Sequence, residues 1–207
     1  MAILQSGTSP GQRIKAGNHV IASARSVDIK PVKARFDAFE LIHLGFRKGD
    51  DQVTKADAAL TKAERKVGER DADQDESLEA FAGAHVGAGA SRKSPLAEYK
   101  LGSVSEIQEI AAEKEAKVLL KMAAKGKKHP DAGVKKAALA MEKAANAVLA
   151  AIKPIEALAE ARTGAIHARD ARRPAWEKAF AALKRAARSA EDEGATGLFA
   201  ALFEVKR

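Results

Sequence analysis

Apolar residues recur along this chain at helical spacing and almost nowhere at strand spacing. Between residues 134 and 166, Val134, Met141, Val148 and Ile155 fall seven apart, with Ala138, Ala145, Ile152, Ala159 and Ile166 seven apart between them. That alternation is the seam of a helix packed lengthwise on another, and its mix of small and large residues predicts close approach of the partner. Asp131, just after Pro130, suits an N-cap, and Gly164 suits an interruption at the far end. A second seam over 50–86 carries Val53, Leu60, Val67 and Phe81, with Gln74 as the polar exception and Ala56 and Ala63 between them. Asp50 can cap its start, and Gly83, Gly87 and Gly89 end it. Val104, Ile107, Ala111, Val118 and Met122 predict a shorter helix over 104–125, with Ser103 and Glu106 spaced as a capping box. A last helix starts near Pro174 and runs through Trp176, Phe180, Leu183 and Ala187 to about Phe203, weakened at Gly194 and Gly197. The segment His19–Ile29 is read as helix as well. Residues 87–102 form one extended loop, long for a connection inside a compact domain.

Several segments resemble one another. IKPVKA at 29–34 and IKPIEA at 152–157 are nearly one hexapeptide, and SPGQRIKA at 9–16 is echoed by HPDAGVKKA at 129–137. Leu41-Ile42-His43 is echoed by Ala165-Ile166-His167. Acidic runs at Asp71–Glu76 and Glu191–Glu193 each precede an apolar end, with Phe81 in one and Leu198-Phe199 in the other. Five features in the same order point to an internal duplication. The fold expected from it is all-α: an elongated four-helix bundle built from two related helical hairpins joined by a shorter helix. The arms would be 11–47 and 50–88, then 131–164 and 168–204, with 103–125 between them. This gives 1–102 for the first hairpin and long loop, 103–126 for the connecting helix and 127–207 for the second hairpin, the two halves packing as one domain. Pro31 and Pro154 would either bend equivalent helices or each open a new one. The bend is preferred at Pro154, because Ala150-Ala151 would cap poorly; at Pro31 both stay open, since Asp28 caps well.

Composition sharpens the packing expectation. Hydrophobic residues make up 46% of the 207 positions but aromatics only 4%, and alanine supplies much of the difference. Alanine is the best helix former and a poor core filler, which favours helices packed closely over a broad contact. The absence of cysteine excludes disulfides, thiol catalysis, iron–sulfur clusters and thiolate metal sites. The start, MAILQSGTSPGQRIKAGNH, has neither the basic region nor the apolar stretch of a secretory leader, and no apolar run approaches a membrane span. The expected location is the cytoplasm, or outside the cell by a route without a cleaved leader. The formal charge of +8 divides as +4, −2, +3 and +3 over residues 1–50, 51–100, 101–150 and 151–207. Such a spread is that of solvated helix surfaces.

Motifs that carry chemistry are sparse. Glu40 and His43 have the Glu-x-x-His spacing of di-iron bundles, but the second copy places Gly164 where the matching glutamate belongs. His43 and His167 are therefore expected to be interhelical or partly exposed polar residues. Asp71-Ala72-Asp73-Gln74-Asp75 opens like a calcium loop and then fails, with Glu76 at the turn glycine and Ala82 at the closing glutamate. A solvated acidic stretch is expected there. No nucleophile elbow or Walker loop occurs, Gly87-Ala88-Gly89 lacks a dinucleotide context, and the five histidines are scattered without ligand spacing. No catalytic, cofactor-binding or metal-binding residue is expected, and no enzyme.

What remains is surface. Basic residues cluster at Lys125, Lys127 and Lys128, where a helix dipole favours them, and at Arg169, Arg172, Arg173, Lys184, Arg185 and Arg188. These nine are the candidates for a polyanion site. Phe81, Leu198, Phe199, Leu202 and Phe203 are candidate apolar ends for a partner helix. The expected function is a non-enzymatic helical scaffold, adaptor or assembly subunit acting through protein–protein contact or self-association. The alternative is a basic nucleic-acid-associated helical protein; membrane binding is disfavoured.

Overall fold

A computed structural model describes residues 8–204, so part of the stretch behind the leader reading lies outside the described residues. The protein is all-α, with no strand among the described residues. Its helices are α1 (Pro10–Ala24), α2 (Lys33–Gly87), α3 (Val104–Gln108), α4 (Ala112–Gly126), α5 (Ala132–Ile152), α6 (Ile155–Asp170), α7 (Arg173–Asp192) and α8 (Leu198–Phe203). Short 3₁₀ turns at Lys30–Val32 and Ala97–Tyr99 precede α2 and α3. No described helix is long and apolar enough to cross a membrane.

Local chemistry sets many of the helix ends. The Asp131 side chain accepts from the Val134 N–H at 3.0 Å, and Ser103 and Glu106 form the expected reciprocal box. Ser9 and Gln12 make a second box at the start of α1. Pro174 lies in the first turn of α7. Gly194 and Gly197 adopt φ values of 107° and 79°, which side-chain-bearing residues rarely hold, and they end the last long helix before α8.

Elsewhere the chain departs from expectation. Residues 33–87 are one helix, without the turn expected between 47 and 50. Gly49 is there for close packing rather than for a turn. An added Cβ would lie 2.8 Å from Arg172 Nη1 and 3.3 Å from the Arg169 Cα. Asp50, expected as a cap, instead accepts from Arg169 Nη1 at 3.1 Å. The 104–125 helix is broken into α3 and α4, with no glycine or proline to mark the break. Pro154 interrupts the helix between α5 and α6, with Lys153 beside it in helical dihedrals (φ −46°, ψ −41°). Pro31 does something else: it sits in the 3₁₀ turn that opens α2. Matching bends at the two prolines are therefore not what this chain does.

By packing, the chain divides into two compact units, Met1–Asp57 with Ala161–Arg207, and Ala58–Glu160. The 103–126 segment expected to connect two hairpins packs, as α4, on α5 within the second unit.

The first unit has an aromatic core. Of the nine aromatic residues in the chain, it holds seven: Phe36, Phe39, Phe46, Trp176, Phe180, Phe199 and Phe203. α8 packs on α1 and α7. The chain reverses between α1 and α2, since Gly17 meets the ring of His43. Arg13, 2% exposed, ties α1 to α7 through Glu177 at 2.5 Å. α2 and α6 are linked within this unit by Asp50–Arg169 and Asp57–Arg162.

The second unit packs small. Ala116, Ala123, Ala138 and Ala145 are buried between Leu78, Phe81, Leu119, Met122, Val134, Met141 and Val148. Gly126 faces Phe81 and Ala138, and a Cβ there would come within 2.7 Å of the Phe81 ring. The alanine-rich close approach read from the composition describes this unit and not the first.

Candidate functional site

The most promising chemistry lies in the second unit, where α2 ends. His85 sits in its last turn, with a side chain 3% exposed. The chain then leaves as a loop, is anchored by buried Leu96, and brings Glu98 and Tyr99 back over the helix end. His129, in the turn between α4 and α5, arrives from the other side, its ring 5.1 Å from that of His85 and nearly perpendicular to it. Ligand-type atoms of His85, Glu98 and His129 all lie within 4.8 Å of one another. They line a cavity of about 390 Å³ together with Ser91, Ser94 and Pro95.

Neighbouring groups orient these side chains. His85 Nε2 and the Tyr99 hydroxyl are 3.0 Å apart, and Tyr99 also packs on Phe81. Burial and the adjacent Glu98 carboxylate push the Tyr99 hydroxyl well above its usual range, so it keeps its proton. The bond to Tyr99 occupies Nε2 of His85, and the other ring nitrogen, Nδ1, lies 3.7 Å from Glu98 Oε1. Burial lowers the pKa of His85, with Glu98 opposing. The Asp131 N–H donates to His129 Nδ1 at 3.1 Å. Lys125 adds a positive charge, its ammonium 2.6 Å from the Glu98 carbonyl and 4.8 Å from the Tyr99 ring centre.

A second polar group in the same unit lies between α2 and α4. Gln74 is fully buried and Glu115 is 1% exposed; they and Asp75 lie close enough to act on one another, but the Gln74 amide and the Glu115 oxygens make no hydrogen bond of ordinary geometry. Asp71 and Asp75, one turn apart, turn a buried oxygen each into the same region. Burial, then Asp75 and Asp71, push Glu115 up to about 7, and burial and Asp71 raise Asp75. The segment expected to be a solvated acidic stretch is thus half inside, because Gln74 occupies a seam position.

In the first unit His43 is fully buried, neutral and fully used. Its Nδ1 accepts from Trp176 Nε1 at 3.0 Å, and its Nε2 donates to Asn18 Oδ1 at 3.0 Å. Burial and Arg47 hold its pKa down to about 4. Neither nitrogen is left for a ligand. His167 is exposed, and Glu40 is half-buried. A cavity of about 600 Å³ in this unit is lined by Val27, Pro31, Ala190, Leu198 and small neighbours, with Asp28 and Glu193 as its charged groups.

Many of the nine basic candidates have internal work. Arg169 pairs with Asp50 and Asp170, and Arg172 donates to the Ala168 carbonyl. Lys127 pairs with Glu142, and Lys125 holds the loop through Glu98. Lys184 lies near the Phe180, Phe199 and Phe203 rings, and Arg188 lies 4.6 Å over Phe199. Lys128, Arg173 and Arg185 are exposed. Lys125, Lys127 and Lys128 lie in the second unit, the other six in the first. The five apolar candidates are all buried. Phe81 and Leu202 are 0% exposed, and Leu198, Phe199 and Phe203 stay under a tenth, because α8 folds back onto α1 and α7 instead of projecting. Sequence spacing missed the histidine cluster, since Glu98 lies 13 positions after His85 and His129 lies 31 positions after Glu98.

No family model, no curated protein and no solved structure matches this chain.

Proposed function

We propose that this protein is a non-enzymatic helical assembly subunit that acts through protein–protein contact, its first partner being a second copy of itself. One observation carries the proposal. Over the twenty residues 54–73 of α2, and over all sixteen of α6, not one residue is fully buried. Yet both stretches keep an apolar seam at helical spacing: Ala56, Leu60, Ala63 and Val67 in α2, and Ile155, Leu158, Ala159, Ala165 and Ile166 in α6, all half-buried. A helix gains most of its stability from burying such a face, so a half-covered seam has room for a further helix.

Charge favours a second copy as the occupant. Residues 54–73 carry five basic and five acidic side chains, interspersed, so the +8 of the whole chain is not expressed there. Two copies meeting along this stretch face no net repulsion and can pair opposite charges. Leu41 and Leu44, one turn apart and 73% and 48% exposed, add apolar surface on α2. A polyanion partner has less support, because the candidate cations are divided between the two units and Lys127 and Arg169 are already paired with carboxylates.

Hydrogen–deuterium exchange at low and high protein concentration tests the proposal. Amides of 54–73 and 155–170 should become protected as concentration rises, while α4 and α5 stay unchanged. Exchange in those stretches that is independent of concentration would remove the support.

A further inference from the structure

We propose that His85, Glu98 and His129 form a binding site for a zinc-class divalent cation, which fastens the 88–103 loop to the end of α2 and to the α4–α5 turn. Two imidazoles and a carboxylate are the donor set that selects zinc, cobalt, nickel or copper over calcium and magnesium, which prefer all-oxygen shells. Around a tetrahedral zinc, ligand atoms stand about 3.3 Å apart. The three here already lie within 4.8 Å, so closure needs shifts of about an ångström. Glu98, with 42% of its side chain exposed, is free to supply such a shift.

The surroundings suit a cation. His85 is held by Tyr99, which fixes its ring and leaves Nδ1 as the free donor; a ligating histidine is commonly anchored this way through its other nitrogen. Among the charges that act on His85, the Glu98 carboxylate is the largest, with His129 and Lys125 opposing it. The cavity of about 390 Å³ gives the ion an entry path and room for water in the fourth position.

His129 gives the proposal a distinctive signature. Its Nδ1 now accepts from the Asp131 N–H, so in the neutral ring the proton sits on Nε2. Binding through Nε2 moves that proton to Nδ1 and releases the Asp131 amide, which lies on an exposed turn where water can replace the lost acceptor. Loading the site should therefore shift the Asp131 amide resonance strongly.

The test uses the full chain. Zn²⁺ is titrated by calorimetry, and Co²⁺ by visible absorption with Zn²⁺ as competitor. We expect one cation per chain, a four-coordinate cobalt spectrum abolished by zinc, a raised unfolding temperature and a shifted Asp131 amide. His129→Ala and Glu98→Gln, at accessible positions, should weaken binding at least about tenfold while leaving the helical circular dichroism unchanged. A variant altered only at His19 and His167, outside the cluster, should keep full affinity. Lack of a saturable one-to-one site, or full affinity in both cluster variants, overturns the proposal.

Discussion

The indole N–H of Trp176 donates to Nδ1 of His43 across 3.0 Å, joining positions 133 residues apart at the centre of the aromatic core. The bond fixes the tautomer of His43, and with it the direction of the second bond to Asn18 on α1. One buried imidazole thus links α1, α2 and α7. Deleting the donor leaves a buried acceptor unsatisfied, at a cost of about 1–3 kcal/mol. Trp176→Phe should lower unfolding stability by at least that amount in urea titration.

The same ring makes the first unit sensitive to acid. Folded His43 titrates near 4, against 6.5 for an unfolded histidine. Between those values the unfolded chain takes up a proton that the fold refuses. Stability is complete above pH 6.5 and falls as the pH drops toward 4, by roughly 3 kcal/mol. Urea midpoints measured from pH 7 to pH 4 in a Glu115→Gln background, which removes the opposing titration of that carboxyl, should show this loss. His43→Phe should flatten it while lowering stability throughout, because Trp176 and Asn18 lose their partner.

Gly17 is the counterpart of this arrangement on α1. A Cβ placed there would come within 2.3 Å of the His43 ring, which two hydrogen bonds hold in place. Gly17→Ala would ordinarily favour a helix by about 1 kcal/mol. Here overpacking should win, and thermal unfolding should report a net loss of about 1–3 kcal/mol. Gly11, on the same helix with nothing near its added Cβ, should gain from the same change.

Glu115 works in the opposite pH direction. Its folded carboxyl titrates near 7 against 4.5 unfolded, so the fold favours the protonated acid. The associated stability is fully present below pH 4.5 and is lost as the pH rises through 7, by roughly 3 kcal/mol. Glu115→Gln keeps the shape and removes the charge. It should be close to wild type at pH 5 and clearly more stable at pH 8, by chemical denaturation at the two values.

Burial of α8 changes what its residues should do when altered. Leu202 is 0% exposed in the first core, so Leu202→Ala should cost about 2–5 kcal/mol of stability. Had Leu202 been a free docking residue, the unfolding midpoint would barely move.

Helical spacing made the element types legible, and capping chemistry made several ends so: Ser103, Asp131, Pro174, Gly194 and Gly197 act locally, and local effects are written in adjacent residues. What stayed hidden depends on distant contacts. Gly49 resembles a turn glycine until Arg169 and Arg172 are seen against it. Pro31 and Pro154 share a hexapeptide, yet one opens a helix after a chain reversal and the other interrupts a helical run. Phe199 and Phe203 looked like a free apolar end because nothing nearby says that α8 folds back. The His85–Glu98–His129 cluster needed the return of the loop over α2, which no spacing rule encodes. Gln74, the polar exception in its seam, was the one visible sign of the buried polar group with Glu115.

Mass in solution is the most direct measurement of assembly through the half-buried seams of α2 and α6. Sedimentation equilibrium over a wide concentration range should show the 21.9 kDa chain rising toward twice that mass. Moderate salt should shift the midpoint without abolishing the association, since apolar seams as well as ion pairs hold the copies together. A mass of 21.9 kDa at every concentration would contradict the account.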